Sequence, residues 1–338
     1  MNWNWLTFSA LTLLLAAGCG RPRGEVLKVF HAGSLAVPFR ELERAFEAEN
    51  PGVDVQREAY GSATAIRQVT DLGKPADLVA SADYQLIDSL MIESEPRWGD
   101  WNVLFARNAM CIAYRDADNP ITQANWTEAL LSPGVRVGMS DPNRDPCGYR
   151  SLFCVYLAES LLGRKGLFAE LVVAHSNVAL EQSDEGALIR APANVAYRDR
   201  LVLRPKETDL IALLETGAID YVFIYRSVAT QHGLDFLELP DEVNLSRPDL
   251  AREYGRVRVA QSADRAERTT QVVAGPIVYG VTIPSSARQP ELARRFIELM
   301  LSERGRRIME ESGQRPISPA VLSPASRIGT PPVSTSNE

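Results

Sequence analysis

Leu27-Lys28-Val29-Phe30-His31-Ala32, then Gly33-Ser34, then Leu35 to Glu49 with Phe39, Leu42 and Phe46 at helical spacing, then Asn50-Pro51-Gly52, is the stretch whose reading decides the fold. A short apolar strand delivers the chain to a small polar turn, an amphipathic helix starts at once, and Asn-Pro-Gly stops it. Working outward, Val53-Asp54-Val55 returns as a second strand. After Tyr60-Gly61-Ser62 a helix carries Ile66 and Val69 on one face, and Gly73 with Pro75 closes it before the strand Asp77-Leu78-Val79-Ala80. Strand alternating with helix predicts an α/β fold in layers.

Further along, Asn102 to Tyr114 is long for one strand and is expected to carry the chain from one lobe to another. Val135 to Met139 reads as a strand, Asp141 to Gly148 as a turn, and Tyr149 to Leu162 as a helix. Lys206 to Glu215 is a further helix stopped by Gly217, and Tyr221 to Tyr225 a strand expected to cross back. Gly275 to Pro284 reads as a strand and Pro290 to Met309 as one or two helices. Residues 164–204 are less periodic, with a lid and a linker both open. The Ser-, Pro- and Thr-rich residues 324–338 are expected to be disordered.

Composition narrows the function classes. The 338 residues carry 36 Lys+Arg against 43 Asp+Glu, a net charge of −7, with 23% charged and 45% apolar residues. That balance fits a globular chain with core enough for about two domains and excludes disordered, collagen-like and multi-span membrane classes. Without a long basic run, a nucleic-acid surface is not expected. His31, His175 and His232 lie far apart with no nucleophile at a recognisable elbow, which speaks against a hydrolase triad. No cofactor is expected, and no Gly-rich phosphate loop is present, so any energy source must sit on another polypeptide.

The first twenty residues hold no Lys, Arg, Asp or Glu, and an apolar run from Leu6 to Gly18 ends just before Cys19. Such a run is too short to span a bilayer and reads as a signal peptide over residues 1–18. Small residues ahead of Cys19 resemble a lipoprotein cleavage site, which predicts export and a lipid anchor at Cys19, with ordinary signal cleavage as the alternative. In an oxidising compartment Cys111, Cys147 and Cys154 can form at most one bridge, and Cys111 and Cys154 are expected to be small core residues. Three cysteines and three histidines give no zinc spacing.

At four places a strand delivers the chain to a small polar residue and a helix begins immediately after it: Ser34, Ser62, Asp145-Pro146-Cys147-Gly148, and Lys206-Glu207-Thr208. Helix N-termini present unpaired N–H groups and about half a positive charge, so several aimed at one point would bind an anion without a cationic side chain. Taken alone, each serine reads first as a simple helix N-cap, and only convergence of the four places would favour anion binding.

These residues resemble a known family, the periplasmic binding proteins for molybdate and tungstate, and most closely its tungstate-type branch. His31 to Leu35, Ala59 to Ser62, Ala76 to Ser81, Asp145 to Ser151, Tyr221 to Ala229 and Pro276 to Gly280 are similar to its motifs and stand in its order, from about Val26 to Pro319. The resemblance implies a two-lobed type II periplasmic binding protein with mixed sheets flanked by helices and a ligand cleft between the lobes. One lobe is expected to comprise residues 25–106 plus 230–320, the other 107–229. It further implies that Ser34 and Ser62 donate to the oxyanion from the first lobe. From the second, the backbone N–H of Cys147 and the Tyr225 hydroxyl donate, and Asp145 and Glu207 approach the metal of the anion itself. Asp141 is a competitor for the role of Asp145, one helical turn away in the same loop.

Two carboxylates beside a dianion need a physical reason, and direct coordination gives one. Oxygen ligands suit a hard, high-valent centre, and two of them added to four oxo groups make six-coordinate geometry, which sulfate cannot adopt. The rival reading has Glu207 capping its own helix and Asp145 holding the loop. The expected function is capture of tungstate or molybdate outside the cytoplasmic membrane and delivery to a permease with a cytoplasmic ATPase. A monomer without covalent chemistry is expected. Another anion such as sulfate or phosphate, or an enzyme or sensor on the same fold, is the alternative.

Overall fold

A computed structural model of the chain describes residues 24–115, 121–183, 186–263 and 266–323. The predicted signal segment, Cys19 and the tail 324–338 lie outside the described residues. The apolar runs pair into three sheets. The first has six strands in the order Arg315–Ser323, Asn102–Arg107, Val278–Thr282, Leu78–Ser81, Glu25–Ala32, Val53–Tyr60. Glu25–Ala32 runs parallel to both of its neighbours, in register from Glu25 opposite Val53 to Ala32 opposite Tyr60. Helix Ala36–Glu49 buries Phe39, Leu42, Ala45 and Phe46 against this sheet. Phe39 and Phe46 meet Phe296 of helix Pro290–Leu301 edge-on, with centroids 5.9 and 5.4 Å apart. Each such ring contributes about 1.5–3 kcal/mol by burial, so this packing fixes the turn that precedes the helix.

The second sheet has the order Asp235–Glu238, Met110–Tyr114, Tyr221–Tyr225, Val137–Ser140, Leu201–Arg204, the last three mutually parallel. The third is Ala266–Val273, Val257–Ala263, Gly186–Ala191, Ala179–Ser183. Helix Pro146–Leu161 packs against both. It has no solvent face over its first thirteen residues, Pro146 to Ala158, all of which are buried. Among the described residues no helix is long and apolar enough to cross a membrane.

The expected passage between lobes at 102–114 is present: Asn102–Arg107 lies in the first sheet, Met110–Tyr114 in the second, and Asn108-Ala109 joins them. Two expectations are corrected. Tyr221–Tyr225 does not cross back, because its helix Arg226–Gln231 returns the chain to Asp235–Glu238 in the same sheet. Residues 235–273, expected in the first lobe, pair instead with strands of the second and third sheets, so the return passage falls between Val273 and Val278. The sequence pattern there is a run of short strands, and pattern alone does not say which sheet a strand joins. Residues 164–204 supply helix Leu167–Leu171 and strands Ala179–Ser183, Gly186–Ala191 and Leu201–Arg204. Cys111, Cys147 and Cys154 are buried free thiols, as the core reading of Cys111 and Cys154 requires.

Ligands of open α/β sheets sit beyond the carboxyl ends of parallel strands. The first and second sheets together offer six such ends, at Ala32, Tyr60 and Ser81 in the first and at Ser140, Arg204 and Tyr225 in the second.

Candidate functional site

Each of those strand ends is followed within a few residues by a buried polar group. After Ala32, a 3-10 turn Gly33–Leu35 places Ser34 wholly inside. Its hydroxyl oxygen accepts from the Tyr279 hydroxyl at 3.0 Å. Asn108 takes the Ala109 and Ser227 N–H groups on Oδ1, so its Nδ2 must be the donor to Tyr279, at 2.7 Å. Burial pushes the Tyr279 phenol up to about 12, so it keeps the proton it gives to Ser34. The Ser34 O–H therefore remains free to donate.

The same logic holds twice more. Ser62 opens helix Ser62–Thr70 and accepts the Ala82 N–H at 2.9 Å. Tyr225 ends its strand fully buried and accepts from Arg150 Nη1 at 2.7 Å, and burial pushes its phenol well above the usual tyrosine range. Neither serine side chain caps its own helix. Three hydroxyls thus have their acceptor side occupied from behind and their protons uncommitted, the polarity that a ligand made only of acceptors requires.

The acids differ from one another. Asp145 is the N-cap of helix Pro146–Leu161; its Oδ1 accepts the Cys147 N–H at 3.2 Å and its Oδ2 the Glu207 N–H at 2.8 Å. The Cys147 amide, expected to face the ligand, is thus engaged by Asp145, and the Cys147 thiol donates to the Phe223 carbonyl at 3.6 Å. Glu207 opens the 3-10 turn Glu207–Leu210 at 1% exposure and does not cap it. Neither of its carboxyl oxygens meets an N–H or O–H donor. Burial, and after it the Asp145 charge, pushes the Glu207 carboxyl well above its ordinary range. A buried carboxyl without a donor is costly unless it is protonated or meets a cationic centre. Asp141 instead binds its own loop, accepting the Asn143 N–H at 2.9 Å and pairing with Arg144.

Contacts link all of these groups in a closed circuit. Ser34 meets Tyr279, whose ring lies 6.4 Å from that of Tyr225. Tyr225 meets Arg150, which also donates to the Ala82 carbonyl at 2.8 Å, and the Ala82 amide meets Ser62. Beside Ser62, a Cβ on Gly61 would stand 2.4 Å from the Arg144 carbonyl oxygen and 3.2 Å from Asp145 Cβ. Asp145 meets Glu207, and a Cβ on Gly33, beside Ser34, would stand 3.5 Å from Glu207 Oε1. The circuit crosses between the two lobes four times, from Tyr279 to Tyr225, from Arg150 to Ala82 and at each of these glycines. The lobes are closed on each other.

The structure therefore gathers Ser34, Ser62, Asp145, Cys147, Glu207 and Tyr225 into one place. The sequence reading missed Asn108, Tyr279 and Arg150, which orient the hydroxyls from behind, and Asp83, which pairs with Arg150 at 3.0 Å. A signal existed for Arg150: it is the one charged residue in the buried run Pro146 to Ala158, and a buried charge demands partners. His31 carries no such role. Its Nδ1 donates to the Ala32 carbonyl at 2.8 Å, and burial pushes its pKa down to about 4.

Comparison with known proteins agrees with this architecture. Residues 27–315 match the family model described as bacterial extracellular solute-binding protein. An uncharacterized solute-binding protein of Methanococcus maripaludis is 41% identical over 327 residues, covering 93% of this chain and 92% of its own. The molybdate/tungstate-binding protein WtpA of Pyrococcus abyssi is 44% identical over 306 residues, covering 87% of this chain and 86% of its own. Among solved structures, the periplasmic molybdate-binding protein of Azotobacter vinelandii superposes with a TM-score of 0.59 at 16% identity, over 85% of this chain and 98% of its own, a likeness of fold.

Proposed function

Because this chain belongs to the family of bacterial extracellular solute-binding proteins, we propose that it captures tungstate or molybdate outside the cytoplasmic membrane and hands the oxyanion to a permease driven by a cytoplasmic ATPase. Export through the segment 1–18, a lipid anchor at Cys19, action as a monomer and the absence of catalysis belong to the same reading. The observation that carries it is the buried Glu207 carboxyl, left without a donor beside three hydroxyls with free protons.

Ser34, Ser62 and Tyr225 donate to oxo corners, while Glu207 and Asp145 offer oxygens to the metal atom. Coordination answers the cost of two buried acids, since a high-valent Group 6 centre supplies the positive charge that they lack. Sulfate and phosphate have no room for a fifth and sixth oxygen and meet unrelieved repulsion. Hydrogen bonds to a charged group contribute about 1.5–3 kcal/mol each, and closure of the lobes excludes the water that would compete with them. Calorimetric titration with tungstate, molybdate, sulfate and phosphate tests the assignment. Stoichiometric binding of the first two and none of the last two is expected; equal binding of sulfate would refute it.

A further inference from the structure

Arg150 makes three polar contacts near the site and touches neither Asp145 nor Glu207, the two acids assigned to the ligand's metal. It sits on helix Pro146–Leu161 at 3% exposure. Nη1 donates to the Tyr225 hydroxyl and to the Ala82 carbonyl, at 2.7 and 2.8 Å, and Nη2 pairs with Asp83 Oδ2 at 3.0 Å. Tyr225 belongs to the second sheet; Ala82 and Asp83 follow the strand Leu78–Ser81 of the first. One guanidinium therefore spans the cleft and ends on a ligand-facing hydroxyl.

Its anchor is itself fixed. Asp83 caps helix Tyr84–Ile87, taking the Gln85 N–H on Oδ1 at 3.0 Å, and receives the Tyr149 hydroxyl on Oδ2 at 2.5 Å. The peptide whose carbonyl Arg150 holds is that of Ala82, whose N–H orients Ser62. When the lobes separate, Arg150 loses Asp83 and Ala82, and a guanidinium freed from those partners no longer has one place from which to aim the Tyr225 proton.

We propose that Arg150 is a positioning residue that makes the donor polarity of Tyr225 conditional on lobe closure, so that the site is fully armed only when the cleft is shut. The inference rests on the oxyanion reading above and deepens it. Lysine carries the same charge but lacks the planar fork that reaches three acceptors in fixed directions. A role through charge alone is therefore separable from a role through geometry.

The test is a double-mutant cycle between Arg150→Lys and Tyr225→Phe, read by calorimetry and by ligand-release rate with tungstate and molybdate as probes. Arg150→Lys is expected to weaken binding about tenfold or more, mainly through faster release. In the Tyr225→Phe background the same change is expected to cost less than about threefold, because the hydroxyl it serves is gone. Lysine rescuing wild-type affinity, or two losses that simply multiply, would overturn the proposal. If Arg150→Lys does not fold, Asp83→Asn, which weakens the anchor and leaves the guanidinium in place, runs the same cycle with the same expected coupling. A wild-type chain that binds neither anion overturns the oxyanion reading and this inference together, whereas wild-type binding with a multiplicative cycle removes only the role of Arg150.

Discussion

The first lobe arms its three parallel strand ends with neutral donors, Ser34, Ser62 and the Ala82 amide that orients Ser62; the second arms its own three with Asp145, Glu207 and the Tyr225 phenol. Local architecture explains the division. In the first lobe at most two residues separate each parallel strand from the helical turn that follows it, so only the groups at the turn itself reach the cleft. In the second, the loop from Asp141 to Asp145 is long enough for Asp145 to fold back and collect two amides, Cys147 and Glu207. That arrangement holds Glu207 in place by its backbone and leaves its carboxyl unspoken for. Under the proposed function, the contrast assigns general anion recognition to the first lobe and discrimination among anions to the second.

The sharpest way to break the contrast is at Glu207. Glu207→Gln keeps the shape and removes the coordinating charge, and tungstate affinity is expected to fall about a hundredfold, or about 3 kcal/mol, while sulfate binding does not weaken. Equal effects on both anions in calorimetry would erase the division of labour. Next in size is Gly61→Ala. Its φ of −65° suits any residue, so the folded lobes tolerate it, but the new methyl meets the Arg144 carbonyl across the cleft. Affinity is expected to drop about thirtyfold, with the melting temperature of the unliganded chain nearly unchanged.

Tyr279→Phe sharpens the first lobe's side of the comparison. It deletes the hydroxyl that orients Ser34 and leaves the Asn108 amide one acceptor short, so a loss of about 1–2 kcal/mol in binding is expected by titration. The smallest effect belongs to the Arg190–Glu181 pair on the third sheet. Both side chains are exposed, so replacing either by alanine should change neither affinity nor melting temperature measurably.

Much of this was legible in the sequence, for identifiable reasons. The strand-turn-helix units at Leu27–Glu49 and Tyr60–Val69 follow from local periodicity and local stop signals, and they appear in the structure with boundaries shifted by only a few residues. Ser34, Ser62, Asp145 and Glu207 stand just past strand ends, where a pattern of strand followed by small polar residue marks them, whereas Tyr225 was reached only through the family resemblance. Residues 235–273 were misplaced because strand pairing is a long-range choice that short apolar runs do not encode. Asn108 and Tyr279 escaped because their importance lies in the direction of a hydrogen bond between residues 171 positions apart. The Cys147 amide was expected to be free, and only the folded loop reveals that Asp145 occupies it.

X-ray absorption at the tungsten edge of the tungstate-loaded protein, with the Glu207→Gln variant as control, addresses the central claim most directly. Six oxygen neighbours in the wild type, with fewer in the variant, are the predicted result. A four-oxygen tetrahedral spectrum in both would contradict the account.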